Sequence, residues 1–419
     1  MILFSHPTGN QNSRHAALAL ARAGLLAELW TSVSWDDGSF GSRFLPAGMR
    51  EELRRRSFPA ELAPFIRTWP WRELGRLVSA RLKLGGLVRG ETACFSIDAV
   101  YSAMDRRIAR SVLPRLRPSA VYAYEDGALE TFRVASEMGI HRVYELPIGY
   151  WRAGHEIFRE EREREPAWAP TLEGLRDTAA KLQRKDDELR TASTILVPST
   201  FVRETLKLAP SLNAPIYVNP YGGPVPTVAR LDGRAVGRSD RPRSPLRVLF
   251  VGSLGQRKGL GYLLKAIEAL GSGVTLTLIG RKTSEICGPL NEAVKQHRWV
   301  PSLSHAAVLQ EMSEHDVLVF PSLFEGFGLV ILEAMSQGLP VITTCNSGGL
   351  DIVTEGVDGF GVPIRSAEAI AEKLELLATD RSRLEAMREA AFATARRFTW
   401  ENYQRRVVEL LAPLVTGAL

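Results

Sequence analysis

The chain has 419 residues, more than one ordinary domain holds, and its 45% hydrophobic and 24% charged content is that of a globular protein with a full core. Its net charge is +6, and no run of uncharged apolar residues reaches the length of a membrane span. Cys94, Cys287 and Cys345 are widely spaced without a metal-ligand pattern, which sets aside a disulfide scaffold and a structural zinc. With a start, MILFSHPTGN, that lacks signal-peptide features, they point to a reducing, cytoplasmic protein.

In chain order, ILFSH (2–6) reads as a first strand running into the loop HPTGN (6–10). A helix follows over SRHAALALARAG (13–24), with Ser13 placed to cap it and Gly24 to end it. LAELWTSV (26–33) is the next strand, and Leu53–Arg110 is helical, charged and irregular. Within it, Ile66–Arg89 mixes Trp69, Trp71 and several leucines with arginines and Lys83. That mixture suits a helix lying on an anionic membrane surface, or equally a packed helical excursion whose arginines face water. No nucleic-acid motif accompanies the charge.

AVYAY (120–124), RVYEL (142–146), TILVPS (194–199) and PIYVNP (215–220) complete the strands of the first half. Between the second and third of these lies Arg152–Arg190, whose run REEREREP (159–166) reads as a solvated helix face. Residues 222–245 carry glycine, proline and polar residues without periodicity and read as a linker. The rhythm then restarts with LRVLFVGS (246–253), VTLTLIG (274–280), DVLVFPS (316–322), PVITTC (340–345) and GFGVPI (359–364), and ends in helical patterning. The expected architecture is α/β, with two Rossmann-like parallel-sheet domains, 1–221 and 246–398, joined by the linker 222–245. A tail helix, 399–419, completes the chain.

In such sheets ligands bind beyond the carboxyl ends of the strands, so the loops there are where chemistry is expected. After DVLVFPS comes FEGFGLVILEAMSQGLP (324–340), with Glu325 on the loop and Glu333 inside an apolar helix expected from about Gly328 to Gly338. Were the whole segment helical, the two acids would stand about 12 Å apart along the axis and roughly 80° apart around it. Gly326 and Gly328 permit a close approach of a ligand, and the first helix amides near Gly328–Val330 lack intrahelical partners. Carboxylates suit the paired hydroxyls of sugar and ribose rings. Arg257 and Lys258, after LRVLFVGS, can neutralise phosphate, and Gly252 and Gly280 end their strands. In the first half Gly9 and Asn10 read either as an acceptor or phosphate loop or as a plain turn before the helix. Asp126 follows AVYAY and reads either as a residue orienting a hydroxyl or as the N-cap of a helix over Gly127–Val134.

FVGSLGQRKGLGYLLKAI, LTLIG, FPSLFEGFGLVILEAMSQGLPVIT and FTWENYQRRVVELL together resemble the family 4 glycosyltransferases of the GT-B fold, with their E-x7-E pattern. The resemblance covers roughly residues 246–410. It implies a nucleotide-diphosphate sugar as donor substrate, a retaining transfer to an acceptor hydroxyl, and neither metal nor other cofactor. It further implies that Glu325 contacts the transferred sugar and Glu333 the ribose. Lys258 would hold the diphosphate, with Phe327, Gly328 and Leu329 contacting phosphate and sugar. Val300 would line the nucleobase pocket through its backbone, and the helix from Trp400 would cross back onto the first domain. Where the family has an arginine after the strand glycine this chain has Ser253, with Arg257 as its substitute. Where many members carry a histidine after the fourth strand, it has Glu125 and Asp126; His6, His15, His141 and His155 are the histidines that stand elsewhere in the first half.

A glycan or a lipid-linked molecule would be the acceptor, with peripheral contact at the inner membrane surface. Two other readings remain open on sequence. One is a retaining glycosidase, which needs its two carboxyl groups about 5–5.5 Å apart. The other is a catalytically inactive nucleotide-sugar-binding or scaffold protein of the same fold.

Overall fold

A computed structural model describes residues 1–36, 50, 53–226 and 244–416. Most of the expected linker, residues 227–243, lies outside the described residues. The first sheet contains β1 (Ile2–Ser5), β2 (Leu26–Thr31), β3 (Ile66–Thr68), β4 (Ala120–Tyr124), β5 (His141–Glu145), β6 (Thr194–Val197) and β7 (Ile216–Val218). The second contains β8 (Leu246–Val251), β9 (Val274–Ile279), β10 (Arg298–Val300), β11 (Val317–Phe320), β12 (Val341–Thr344) and β13 (Gly359–Val362). Strand order is β3-β2-β1-β4-β5-β6-β7 in one and β10-β9-β8-β11-β12-β13 in the other, and the named pairs are parallel. These are two Rossmann-like domains in the GT-B arrangement.

The apolar runs became strands because parallel sheets covered by helices on both faces bury their strands almost completely. β1, β4, β6, β11 and β12 are buried at every position. Two strands have no counterpart in the sequence reading, β3 and β10, each three residues long at the outer edge of its sheet. Three residues cannot show a period, and β3 interrupts a stretch read as wholly helical. The first helix is Gln11–Arg22, and Asn10 rather than Ser13 caps it. Oδ1 of Asn10 accepts from the Ser13 N–H at 2.8 Å, while Oγ of Ser13 accepts from the Asn10 N–H at 3.0 Å, a reciprocal capping box.

Most of the charged run 159–166 is the solvated face expected of it, and Glu161 is the buried exception. The run closes the helix Trp151–Arg164, which carries Glu161 into the second domain. Glu161 is fully buried and accepts from Gln256 Nε2 at 2.7 Å, Tyr262 Oη at 2.9 Å and Arg365 Nε at 2.8 Å. Glu160 also pairs with Arg365, and Glu165 with Lys265. These partners lie far along the chain, so the run's own composition could not announce them.

The helix Trp400–Thr416 packs on Gln11–Arg22, where the Trp400 and His15 rings stack at 4.0 Å. Tyr403, Val407 and Leu411 join Tyr221, Phe327 and Leu332 in one apolar core that runs through both domains.

Candidate functional site

Both sheets reverse direction between their first and fourth strands, and the crevice at such a switch point is where open parallel sheets hold ligands. In the first domain the switch point lies between the loops after β1 and β4, and in the second between those after β8 and β11. Every candidate residue named from the sequence except Gly280, Val300 and Glu333 belongs to one of these four loops or starts the helix that follows.

Across the crevice the domains touch through the loop after β11. Oγ of Ser199 donates to the Gly326 carbonyl at 2.6 Å. Phe324 packs edge-on against Phe158 and Phe201 of the first domain. A β-carbon at Gly326 would stand 1.8 Å from the Pro147 carbonyl oxygen, so only glycine fits this seam. Glu325 is thereby fixed where the two domains meet.

On the second domain, Arg257 and Lys258 occupy a short 3-10 turn, Gln256–Lys258. The Lys258 ammonium touches Oε2 of Glu325, and Arg257 Nη1 donates to the same oxygen at 3.2 Å and to the Phe324 carbonyl at 3.1 Å. The Phe320 ring lies beneath the ammonium at 4.7 Å. Burial and, after it, the neighbouring Arg257 guanidinium press the Lys258 pKa down. Glu325 thus links both cations to the domain seam.

Gly280 shows why strand-end glycines recur here. Its φ is +145°, and a β-carbon there would stand 1.8 Å from the Gly252 carbonyl oxygen, so the ends of β8 and β9 press backbone on backbone. Its N–H donates to the Val300 carbonyl at 2.9 Å. The Val300 backbone, expected to line the nucleobase pocket, thus has its carbonyl paired within the protein.

The helix after Glu325 is Leu329–Met335, shorter than expected, with Gly328 as its left-handed cap at φ +89°. Phe327 is buried against Tyr221 and its carbonyl accepts from Gly348. Leu329 is half-buried on the common core. Glu333 is mostly buried, and burial raises its pKa while His305 lowers it, with His305 Nε2 3.1 Å from Oε1. His305, which begins the helix His305–Glu314, was not singled out from the sequence. A lone histidine after SLS carries no signal of its own.

On the first domain a cavity of about 280 Å³ is lined by His6, Thr8, Asn10, Tyr101, Glu125 and Asp126, among others. The His6 pKa is driven down to about 4, chiefly by burial, and its Nδ1 accepts from the Gly9 N–H at 2.9 Å. Gly9 has φ +61°, and the Phe58 ring stands 2.5 Å from where a β-carbon would be, so that side of the loop is filled by protein. Asn10 contributes its carbonyl oxygen to the cap described above. The other histidines are placed differently. His141 pairs with Thr194 at 2.9 Å, and His155 packs against Trp151 at 5.1 Å.

Asp126 is not a helix cap. The helix is Leu129–Glu137, and its entry amides are taken by other carboxyl groups. Glu188 accepts from the N–H groups of Asp126 and Ala128, and Asp105 from those of Glu130 and Thr131. Burial raises the Glu188 pKa to about 8. Asp126 itself sits at φ +71° with its carboxylate on Arg184 at 2.8 Å, and Glu125 lies 3.4 Å from Lys185. Lys181, Arg184 and Lys185 on the helix Ala179–Thr191 were missed, although their i, i+3, i+4 spacing marks one helix face. Among the described residues no group of three His, Cys, Asp or Glu side chains is arranged to hold a metal ion.

Residues 236–394 match the family model described as glycosyl transferases group 1. Sucrose synthase of Acidithiobacillus caldus is 40% identical over 125 residues, which is 27% of this chain and 16% of that one. D-inositol 3-phosphate glycosyltransferase of Corynebacterium urealyticum is 32% identical over 193 residues, 42% of this chain and 45% of that one. The chain thus spans less than half the length of these curated relatives. Among solved structures, sucrose-phosphate synthase from Thermosynechococcus elongatus superposes with a TM-score of 0.66 at 17% identity, covering 99% of both chains. HepE from Anabaena, in complex with UDP and glucose, gives 0.63 at 16% identity over 98% of this chain and 99% of that one. At these identities the likeness shows the shared fold.

Proposed function

We propose that the cleft transfers a sugar from a nucleotide-diphosphate donor to an acceptor hydroxyl. The observation that carries this reading is the pairing of Lys258 and Arg257 with Glu325 at the domain seam, within the segment that matches group 1 glycosyl transferases. Two cations suit a diphosphate and the charge that grows on it as it leaves. Once phosphate takes over those cations, the Glu325 carboxylate is free to accept hydrogen bonds from the transferred sugar. Glu333 receives the ribose hydroxyls, with His305 beside it. The structure of Anabaena HepE in complex with UDP and glucose supports starting with uridine donors.

In the proposed reaction the acceptor oxygen forms a bond to the anomeric carbon while the bond from that carbon to the phosphate oxygen breaks. The acceptor's proton passes to the departing diphosphate, which lies on the same face, so configuration is retained. Lys258 and Arg257 supply the charge stabilisation, and no metal is required. The cavity beside Asp126 and Tyr101 receives the acceptor, a glycan or a lipid-linked molecule. A cytoplasmic location fits the exposed free thiols of Cys94 and Cys345.

One observation favours a second reading, a protein that binds nucleotide sugars without turning them over: the Asp126 carboxylate is held by Arg184 rather than left open to an acceptor. A glycosidase is less well supported, since Glu325 faces two cations and Glu333 a histidine. Release of nucleoside diphosphate from a panel of nucleotide sugars, measured on the native protein and on Glu325→Gln, separates these. Turnover by the native protein that Glu325→Gln loses supports transfer. Binding without turnover for every donor and acceptor offered supports the second reading.

A further inference from the structure

Seven of the fourteen exposed large apolar side chains among the described residues fall between Trp71 and Ile97. The helix Trp71–Arg81 explains the cluster. At 100° per residue, Trp71, Leu74, Val78 and Leu82 fall within an arc of about 80°, and Trp71 and Leu82 are 67% and 63% exposed. The opposite side is anchored. Glu73 there is fully buried and takes both Arg56 and Arg76, while Phe95 fills the space beside Gly75 on one flank of the stripe. The stripe therefore cannot rotate inward. Lys83, at φ +57°, turns the chain so that the short helix Gly85–Val88 packs back and adds Leu84 and Leu87.

The rim of this stripe is cationic. Between Ile66 and Arg89 the sequence holds six Lys or Arg residues and one acid, Glu73, which is the buried one. Arg81, Lys83 and Arg89 are exposed and form no ion pair among the described residues. A second copy of this chain seated on the stripe would set one cationic rim against another. An anionic lipid surface satisfies both features at once, taking the apolar side chains into its interfacial zone and the cations at its phosphates.

We propose that this face of the first domain docks in the plane of an anionic membrane. No helix among the described residues is long and apolar enough to cross one. Ile97, at the edge of the stripe, also lines the cavity that holds Asp98 and Tyr101, so the docked face borders the mouth of that cavity. The inference rests on the surface alone and stands apart from sugar transfer.

Vesicle flotation of the full chain tests it, with phosphatidylglycerol-containing and pure phosphatidylcholine vesicles. The native protein floats with the anionic vesicles, stays behind with the neutral ones, and is released by added salt. Trp71→Ser/Leu82→Ser weakens flotation at least tenfold, and Arg81→Ser/Lys83→Ser weakens it for anionic vesicles. Because all four side chains are exposed, circular dichroism and melting temperature stay at the native values. Failure of the native protein to float overturns the proposal, as does equal flotation of native protein and Trp71→Ser/Leu82→Ser. Sedimentation showing a native dimer that Trp71→Ser/Leu82→Ser splits into monomers also overturns it, assigning the stripe to a second copy.

Discussion

The ammonium of Lys258 lies against Oε2 of Glu325, with the Phe320 ring beneath it and Arg257 on the same oxygen. If this contact is a cation held ready for diphosphate, Lys258→Ala removes charge stabilisation from the departing group. Turnover should fall by a factor on the order of 10² to 10³, the usual loss for one such donor. Lys258→Arg should restore little, because a planar guanidinium does not reproduce the point contact of the ammonium with Glu325 above the Phe320 ring. Steady-state release of nucleoside diphosphate checks both.

Glu333 gives a pH prediction with a definite sign. Burial raises its pKa, and ribose hydroxyls need the charged carboxylate as acceptor. Nucleotide affinity should therefore fall as pH is lowered through that raised pKa. Glu333→Gln should bind about tenfold more weakly at neutral pH, the scale of a lost hydrogen bond to a charged group. The variant should also lose that pH dependence, as calorimetric titration at several pH values would reveal.

Gly326→Ala tests the domain seam. A methyl group 1.8 Å from the Pro147 oxygen forces the loop after β11 off the first domain. Activity should drop far more than stability, with a melting temperature close to native and a larger radius of gyration by X-ray scattering. An unchanged radius with full activity would show that the seam does not position Glu325.

His6 sets an acid limit on the first domain. Its folded pKa is about 4 against an ordinary 6.5, so below 6.5 the unfolded chain binds a proton that the folded one refuses. Stability should fall as pH drops from about 6.5 towards about 4, by on the order of 3 kcal/mol from this group. Chemical denaturation of native protein and His6→Asn over that range should show a shallower slope for the variant.

Much of the fold was legible because buried parallel strands are short apolar runs, because Gly252 and Gly280 mark strand ends, and because Gly328 marks a helix start. The edge strands β3 and β10 were not, since they owe their pairing to neighbours rather than to pattern. The loops carrying Lys258 and Glu325 could be placed at one sheet edge from strand order alone. Contacts between distant segments could not. Glu161 looked like one of several solvated acids until Gln256, Tyr262 and Arg365 closed around it. Glu188 and Asp105 took the capping role that Asp126 had been offered, and His305, at the start of the helix before β11, reached Glu333 in the helix after it.

The central claim is a nucleotide-diphosphate site built on Lys258, Glu325 and Glu333, and titration calorimetry tests it most directly. Nucleotide-diphosphate sugars, uridine donors first, are titrated into the full chain in the presence of a metal chelator, with Lys258→Ala and Glu333→Gln alongside. The account predicts saturable binding of at least one donor by the native protein, weakened about tenfold or more in each variant. No binding of any nucleotide or nucleotide sugar to the folded native protein, or equal binding by all three proteins, would contradict it.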